Sequence, residues 1–265
     1  MKIDNRSNDE GGSRKLYTGL ANMKVVAINP TMSELTELGY NPQQEPEYIS
    51  VTPEGNAKVV IDFFLKNEET GMIAKRRFWL ENRDRDTRAG DKKEYINNYG
   101  QTTFVESIDV LQQWFGKEGA RPAKVGEGQL IRFIAAWANV NPYADAAGNR
   151  GMCYFEDVTK LFTNDLSEIR DIFNQIKDDN EVKVLLNVIT SEDGKRYQDV
   201  YMHHFDRAAS KSNKAWENAL ANDYTQCKGD YQNSLEFKEY VPKPVVTADT
   251  PDVASGVTED VEAPW

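Results

Sequence analysis

The sequence predicts a mostly β protein with helices inserted between its strands. Two segments, residues 57–81 and 181–205, resemble β-hairpins, because each joins runs rich in Val, Ile, Phe and Tyr through a glycine-containing turn. Between them, residues 127–140 carry apolar side chains at helical spacing. A chain of 265 residues, 39% of them hydrophobic, is long enough for one domain of ordinary size.

The first elements precede the first hairpin. Residues 1–14 are rich in Asp, Asn, Gly and Ser, so we expect a disordered arm. Residues 20–28 are predicted to form a strand, and Ser33 is placed to cap a short helix that Gly39 closes. A Pro-rich loop then surrounds a short edge strand at residues 48–51.

The clearest hairpin joins residues 57–65 to residues 72–81, and Gly71 suits the left-handed position of its loop. Alternate residues of a strand face opposite sides of the sheet. One face of the second strand carries Ala74, Arg76, Phe78 and Leu80. The other face carries Lys75, Arg77 and Trp79. Neither face is cleanly apolar, which is unusual for a strand with one face in a core.

The face with Trp79 places two cations beside an indole. This combination suits single-stranded nucleic acid, because cations follow phosphates and aromatic planes stack on unpaired bases, at about 1–3 kcal/mol per base. In the alternative interpretation, Trp79 belongs to the core and the aliphatic stems of the cations pack around it. The sequence leaves both interpretations open.

A long polar stretch follows at residues 83–104, and we predict no regular structure for it. Its basic and tyrosine side chains are Arg83, Arg85, Arg88, Lys92, Lys93, Tyr95 and Tyr99. Residues 75–93 carry eight basic and four acidic side chains, a local net charge of +4 in a chain of net charge −11. The stretch is therefore expected to be a flexible flap that closes over a nucleic-acid strand, or a solvated loop whose Asp and Arg residues pair locally.

The middle of the chain is predicted to be a helical insertion at about residues 106–180. Its helices are expected at residues 108–115, 127–140, 155–162 and 166–176. The second helix has a core stripe formed by Leu130, Phe133, Ile134 and Trp137. Trp114 is also assigned to packing.

The second hairpin joins residues 181–190 to residues 196–205 through Asp193-Gly194. Its first strand has one apolar face, formed by Val182, Val184, Leu186 and Val188. A last short helix is expected at residues 214–221, and the domain is expected to cover residues 15–240. Strand, hairpin, helical insertion and hairpin together match an elaborated OB-fold, a five-stranded Greek-key barrel that binds oligonucleotides.

Residues 241–265 form an acidic segment without a basic residue after Lys243. Its acidic side chains are Asp249, Asp252, Glu259, Asp260 and Glu262. Such a composition cannot bury enough apolar surface to fold, so we expect a disordered tail. Trp265 is expected to dock into a pocket of a partner or to fold back onto a basic groove. Alternatively, the tail only improves solubility.

Several classes of protein are not indicated. Cys153 and Cys227 lie far apart without metal-ligand spacing, which favours a reducing cytosol over a disulfide framework or a zinc site. No apolar run approaches the roughly eighteen residues of a membrane span, and the first residues lack the apolar region of an export signal. We therefore expect a soluble protein that is not exported and has no membrane partner.

An enzyme is not indicated either. His203 and His204 are adjacent in a predicted strand, so they point to opposite faces. Asp199 shares a face with His203, but no further metal ligand is evident. The phosphate-binding, dinucleotide-binding, zinc-protease and nucleophile-elbow patterns are absent. No catalytic residue, metal or cofactor is expected.

Four stretches resemble the single-stranded DNA-binding proteins of tailed bacteriophages: LYTGLANMKVVAINPT, FFLKN, FWLEN and GDKKEYINNYGQTTF. The resemblance covers about residues 16–140 and the tail. It implies an OB-fold that binds single-stranded DNA without strong sequence preference, in the cytoplasm of an infected bacterium. It further implies that the acidic tail recruits phage replication and recombination proteins and competes with DNA for the groove, in DNA replication, recombination and repair.

The chain departs from this family in two respects. Trp265 stands where Phe is the commoner aromatic, and the helical insertion has no counterpart in a minimal OB-fold. A homo-oligomer is compatible with the sequence. The alternative function is that of a phage virion-associated protein, or another structural or interaction protein, without DNA binding.

Overall fold

The computed structural model describes most of the chain between residues 15 and 242. The gaps within this range are residues 88–89, 98–101, 108, 110–119, 140–157, 164, 175, 177–178, 193, 202–203, 222–228 and 231–233. The predicted arm at residues 1–14, the acidic tail and nearly all of the helix predicted at residues 108–115 therefore lie outside the described residues.

The protein is mostly β, and every strand pairing in the described residues is antiparallel. The central strands are β1 (Tyr17–Ile28), β2 (Ile49–Val51), β3 (Ala57–Lys66), β4 (Ile73–Asp84), β8 (Lys124–Val125), β9 (Glu181–Thr190) and β10 (Arg196–Val200). The main sheet has the order β10-β9-β1-β3-β4-β8, with β2 beside β3. Three short strands complete it: β11 (Asp206–Arg207) and β12 (Gly229–Asp230) pair with β9, and β13 (Lys238–Glu239) pairs with β1. The first predicted hairpin is confirmed as β3 and β4. The second is confirmed in part: its returning strand was predicted at residues 196–205 but ends at Val200, so His204 lies outside the strand in which it was expected.

A second, smaller sheet overturns the prediction that residues 83–104 lack regular structure. It consists of β5 (Lys93–Asn97), β6 (Thr102–Val105) and β7 (Ala120–Pro122), in the order β6-β5-β7. The first two strands lie largely within the stretch predicted as a flap, and β4 itself continues to Asp84. Tyr95, Ile96 and the β-branched residues of β6 supply strand propensity that the polar composition hides.

In the described parts of the chain, four α-helices cover parts of the sheets: α1 (Met32–Glu37), α2 (Glu127–Trp137), α3 (Leu166–Phe173) and α4 (Lys214–Ala221). The predicted helices at residues 127–140, 166–176 and 214–221 are confirmed. The described part of the helix predicted at residues 155–162 is a 3-10 turn, Val158–Leu161. No helix in the described ranges has the length and apolar content needed to cross a membrane.

The prediction that Ser33 caps α1 is wrong. Thr31 is the N-cap, because its hydroxyl accepts a hydrogen bond from the backbone N–H of Glu34 at 3.3 Å. The carboxylate of Glu34 in turn accepts a hydrogen bond from the backbone N–H of Thr31 at 2.7 Å. This reciprocal capping box satisfies two helix-end donors, and Ser33 lies inside the helix. Gly39 closes the segment as predicted, with a φ of +79°.

The main core lies between the sheet and helices α2 and α3. Phe63 of β3 is at its centre, with ring centroids 4.6 Å from Phe133 and 5.4 Å from Phe173. All four residues of the predicted α2 stripe are buried, as are all four of the predicted β9 face. These packing predictions are confirmed.

The even-numbered face of β4 is the core face, although it contains an arginine. Arg76 is only 6% exposed, and its guanidinium carbon lies 4.7 Å from the ring centroid of Phe78. It donates a hydrogen bond to the Gln129 side chain at 3.3 Å. The aromatic ring and the amide accommodate the cation, and the charge hid the apolar character of this face in the sequence.

The main sheet curls without closing. Strands β4 and β10 approach each other, but no ladder of hydrogen bonds joins them in the described part of the chain. Near the gap between β4 and β10, the Gln198 side chain takes the place of a neighbouring strand for Tyr17. It accepts a hydrogen bond from Tyr17 N–H and donates one to Tyr17 C=O, both at 2.8 Å.

Candidate nucleic-acid interface

Trp79 lies on the outer face of β4 with 50% of its surface exposed. Its neighbour across the sheet is Val60. The backbone carbonyl of Trp79 also packs against Gly126, the residue that precedes α2. A Cβ at Gly126 would lie 1.9 Å from that carbonyl oxygen, and the φ of +84° at this position also favours glycine. A strand packed against the start of α2 therefore presents the indole to solvent, and the core interpretation does not hold.

Arg77, on the same face, is committed to an internal ion pair. Its guanidinium donates two hydrogen bonds to Asp62, at 2.6 and 2.5 Å, and Asp62 is only 1% exposed. The guanidinium carbon lies 5.9 Å from the centroid of the Trp79 ring. The Asp62 carboxylate offsets the charge of Arg77 and holds its guanidinium near the indole. The phosphate contact predicted for Arg77 would compete with this ion pair.

Other cations near the end of β4 form exposed or partly exposed pairs. The Nε of Arg83 lies 3.1 Å from the Glu81 carboxylate. The Asp84 carboxylate accepts a hydrogen bond from Lys124 Nζ at 3.0 Å and lies 3.6 Å from Lys93 Nζ. The hydrogen bond from Lys124 holds the pKa of the Asp84 carboxyl below its usual value. Exposed pairs contribute only about 0–1 kcal/mol, so an incoming phosphate can replace the carboxylate at little cost.

The remaining predicted residues differ in accessibility. Lys75 and Lys92 are half-buried, whereas Lys93 keeps 48% of its side chain exposed. Tyr95 is buried, with 8% of its surface exposed, so the prediction that it belongs to a solvent-exposed flap is wrong. Arg88, Tyr99 and all six tail residues from Asp249 to Trp265 lie outside the described residues.

A second exposed ring was missed from the sequence. Phe104 on β6 is 39% exposed and stands directly opposite Glu94 of β5. The guanidinium carbon of Arg85 lies 5.6 Å from the centroid of this ring, and its Nε lies 3.5 Å from the Glu94 carboxylate. Glu94 is 3% exposed, and burial raises the pKa of its carboxyl. The only available signal was the β-propensity of Thr102–Val105, which indicates a strand but not the exposure of its ring.

Three further basic residues surround the first turns of α2. Arg121 forms a bidentate pair with Glu127, which is fully buried and also accepts the backbone N–H of Lys124 at 2.8 Å. Arg132 is exposed and donates to the carbonyl of Gly128 at 3.1 Å. The positive charge of this region thus comes from both sheets and the helix.

The described residues contain no group of three or more His, Cys, Asp or Glu side chains arranged to hold a metal ion. His203 lies outside them. His204 packs edge-on against Trp216, with ring centroids 4.4 Å apart, and burial lowers its pKa.

Comparisons with protein-family models, with curated proteins and with solved structures find no significant match. The function is therefore inferred from the chemistry of this surface. We define the Trp79 surface as the exposed indole and the neighbouring basic residues, namely Lys75, Arg77, Trp79, Arg83, Arg85, Lys92, Lys93 and Lys124.

Proposed function

We propose that the protein binds single-stranded DNA, without strong sequence preference, at the Trp79 surface. The observation that carries the proposal is the half-exposed indole of Trp79 on a paired strand of the main sheet, with cations near it. An indole can stack on any unpaired base, because every base has a π face. The cations beside the ring distinguish Trp79 from an isolated exposed apolar side chain, because they can contact the phosphates of a strand whose base stacks on the indole.

The charge distribution also supports the proposal. The chain carries a net charge of −11, yet residues 75–93 carry a formal charge of +4. Arg76 among them faces the core, and the accessible positive charge comes from partly or fully exposed side chains, namely Lys75, Arg83, Lys92, Lys93, Lys124 and Arg132. Charge acts through its local distribution, so a basic surface on an acidic protein can still attract a polyanion. Arg83 and Lys93 form weak, exposed ion pairs with Glu81 and Asp84, and a DNA phosphate would take the place of each carboxylate.

We further propose that the main sheet is an elaborated OB-fold, a barrel of five principal strands. The order β10-β9-β1-β3-β4 and the approach of β10 to β4 support this assignment. In such folds the sheet face and the adjoining loops bind oligonucleotides, and Trp79 occupies a sheet face here.

The acidic segment beyond Lys243 completes the proposed function. Its five carboxylates suit competition with DNA for a basic surface, and Trp265 suits a pocket on a replication or recombination protein. The sequence resemblance to phage single-stranded DNA-binding proteins supports this role.

A fluorescence titration tests the proposed function directly. Oligo(dT) is titrated against the full chain and compared with a duplex of equal length. We expect tight binding to the single strand, quenching of tryptophan fluorescence and much weaker binding to the duplex. Equal affinity for both, or no binding to either, contradicts the proposal.

One observation favours the alternative, a virion-associated or other interaction protein without DNA binding. Arg77, Arg83, Arg85 and Lys93 all lie in ion pairs within the chain. If these pairs do not open, the basic stretch is a structural network. Lack of oligo(dT) binding at low salt would select this alternative.

A further inference from the structure

We infer a second base-stacking subsite, formed by the ring of Phe104 and the guanidinium plane of Arg85. This inference rests on the proposed binding of single-stranded DNA and specifies a second point of contact. Arg85 lies at the edge of the Trp79 surface, just beyond the end of β4, and Phe104 lies on β6 of the smaller sheet, so the subsite extends that surface to a second ring.

The strand register brings the components of the subsite together. Glu94 and Phe104 are direct partners in the antiparallel β5–β6 pair, so their side chains lie on one face of the small sheet. Arg85 crosses this face, with its Nε 3.5 Å from the Glu94 carboxylate and its guanidinium carbon 5.6 Å from the Phe104 centroid. The guanidinium thus contacts a buried anion and an exposed ring.

Glu94 acts as a positioning residue for Arg85. Its side chain is almost fully buried and cannot follow a mobile arginine into solvent. The 3.5 Å ion pair restrains the guanidinium, while 38% of the Arg85 side chain remains exposed. A planar cation fixed beside an exposed ring needs little further ordering when a base stacks on it, which reduces the entropic cost of binding.

The chemistry of the pair suits an unpaired base better than a lone phosphate. Bases in single strands stack on aromatic rings and on arginine guanidinium planes. The Glu94 carboxylate offsets part of the charge of Arg85, which weakens a purely electrostatic contact but leaves the planar surface unchanged. We therefore assign base stacking, rather than phosphate neutralisation, to this subsite.

The start of α2 places both stacking subsites in one neighbourhood. The Trp79 carbonyl packs against Gly126, and a Cβ at Gly128 would lie 2.9 Å from the Glu94 carboxylate. Residues 79 and 85 are also only six positions apart, at most about 20 Å of extended chain. One strand of the roughly 4–16 nucleotides that an OB-fold covers can therefore reach both rings.

The experiment titrates the full chain with oligo(dT) of increasing length, from about 4 to 16 nucleotides. Phe104→Leu keeps an apolar side chain but removes the ring, and Phe104→Tyr keeps the ring. For the longest oligonucleotides we expect Phe104→Leu to weaken binding roughly 5- to 150-fold, and Phe104→Tyr to bind like wild type. The shortest oligonucleotides that quench Trp79 should bind both variants equally.

Arg85→Lys separates stacking from charge. Lysine keeps the positive charge without the guanidinium plane, so we expect weaker binding with an unchanged salt dependence. Tyr240→Leu is the matched control, because the Tyr240 ring lies 5.9 Å from the guanidinium carbon of Arg196, outside the proposed surface. This control should leave affinity unchanged.

The outcomes distinguish the subsite from the proposed function. If Trp79→Ala weakens binding while Phe104→Leu and Arg85→Lys bind like wild type at every length, the second subsite is wrong and the proposed function stands. If the wild-type chain binds no oligonucleotide, both are overturned. Thermal melting of each variant identifies any loss of affinity that arises from unfolding.

Discussion

At the scale of single residues, buried carboxylates determine which cations are available to a ligand. Asp62, Glu94 and Glu127 are each at least 97% buried, and each lies beside one arginine. Their partners are Arg77, Arg85 and Arg121, respectively. Removing one partner of a buried pair costs about 3–5 kcal/mol, whereas an exposed pair contributes about 0–1 kcal/mol. The first figure applies to Arg77, which is 16% exposed, whereas Arg85 and Arg121 are 38% and 35% exposed. The pair of Arg77 with Asp62 therefore stays closed, and the more exposed cations are those that can respond to a phosphate.

The first prediction concerns the exposed indole. Trp79→Ala should weaken binding to oligo(dT) by about 1–3 kcal/mol with little change in melting temperature, because the ring is half exposed. Anisotropy titrations of labelled oligo(dT) and thermal melting provide the two measurements. A loss of about 3–5 kcal/mol in unfolding free energy with unchanged affinity would show that the ring has a core role instead.

The second prediction concerns His204, whose pKa is lowered from its ordinary value of 6.5 chiefly by burial. Nearby Arg132 lowers the pKa further, and Asp206 opposes the shift. In the unfolded chain, His204 takes up a proton near its ordinary pKa of roughly 6.5, whereas in the folded chain burial opposes protonation. The free energy of unfolding therefore decreases as the pH falls below that value.

Urea unfolding at pH 7.5 and pH 5.5 measures this effect, with both values chosen to bracket the ordinary histidine pKa of roughly 6.5. His204→Gln should lose less stability than wild type over this interval, because it cannot be protonated. Identical pH dependence in the two proteins would assign the loss to other groups.

At the scale of elements, the sequence predicted the strands and helices whose pattern of side chains is contained within the element and its turns. The hairpin of β3 and β4, the β9–β10 pair and the α2 stripe follow from side-chain periodicity and turn residues. The β5–β6 hairpin was missed because its residues are polar, and β5 also pairs with β7, about 25 residues away. The sequence could not assign Trp79 to the solvent face, because Arg76 concealed the apolar character of the opposite face of the same strand. It also could not predict the ion pair of Arg77, because its partner Asp62 lies on another strand.

The third prediction concerns the cations at the end of β4 and the start of β5. The logarithm of the binding constant should fall with the logarithm of salt concentration by about 0.7 per phosphate contact. Arg83→Ala should reduce this slope by less than one unit, because it removes a single phosphate contact. Arg83 can make that contact because its pair with Glu81 is exposed. Lys15→Ala, which removes an exposed pair with Glu239 outside the proposed surface, is the control and should leave the slope unchanged. A flat response in wild type would exclude phosphate contacts.

At the scale of the whole molecule, charge of opposite sign is segregated along the chain. The basic stretch is internal, and residues 245–265 carry five acidic side chains and no basic one. A tethered anionic segment competes at high effective concentration for any basic surface that it can reach. The affinity of the full chain for DNA is therefore expected to be lower than that of the folded part alone.

The fourth prediction tests this competition. Deletion of residues 245–265 changes the net charge from −11 to −6 and should tighten oligo(dT) binding, most clearly at low salt where screening is weak. The truncated protein should also lose capture of replication and recombination proteins. Trp265→Ala should reproduce that loss while leaving DNA affinity nearer to wild type. Unchanged affinity and capture after deletion would leave the tail only a role in solubility.

The contact between Gly126 and the Trp79 carbonyl has a consequence for how this protein tolerates sequence change. A comprehensive survey of single substitutions would find strong intolerance at Gly126, a position without a side chain to touch any ligand. Even alanine would push β4 away from the start of α2, since its Cβ has no room beside that carbonyl. Conversely, Gly71 has open space around it and would tolerate asparagine, which adopts the same left-handed backbone. The position of the Trp79 strand thus depends on a residue that lies behind it and carries no side chain.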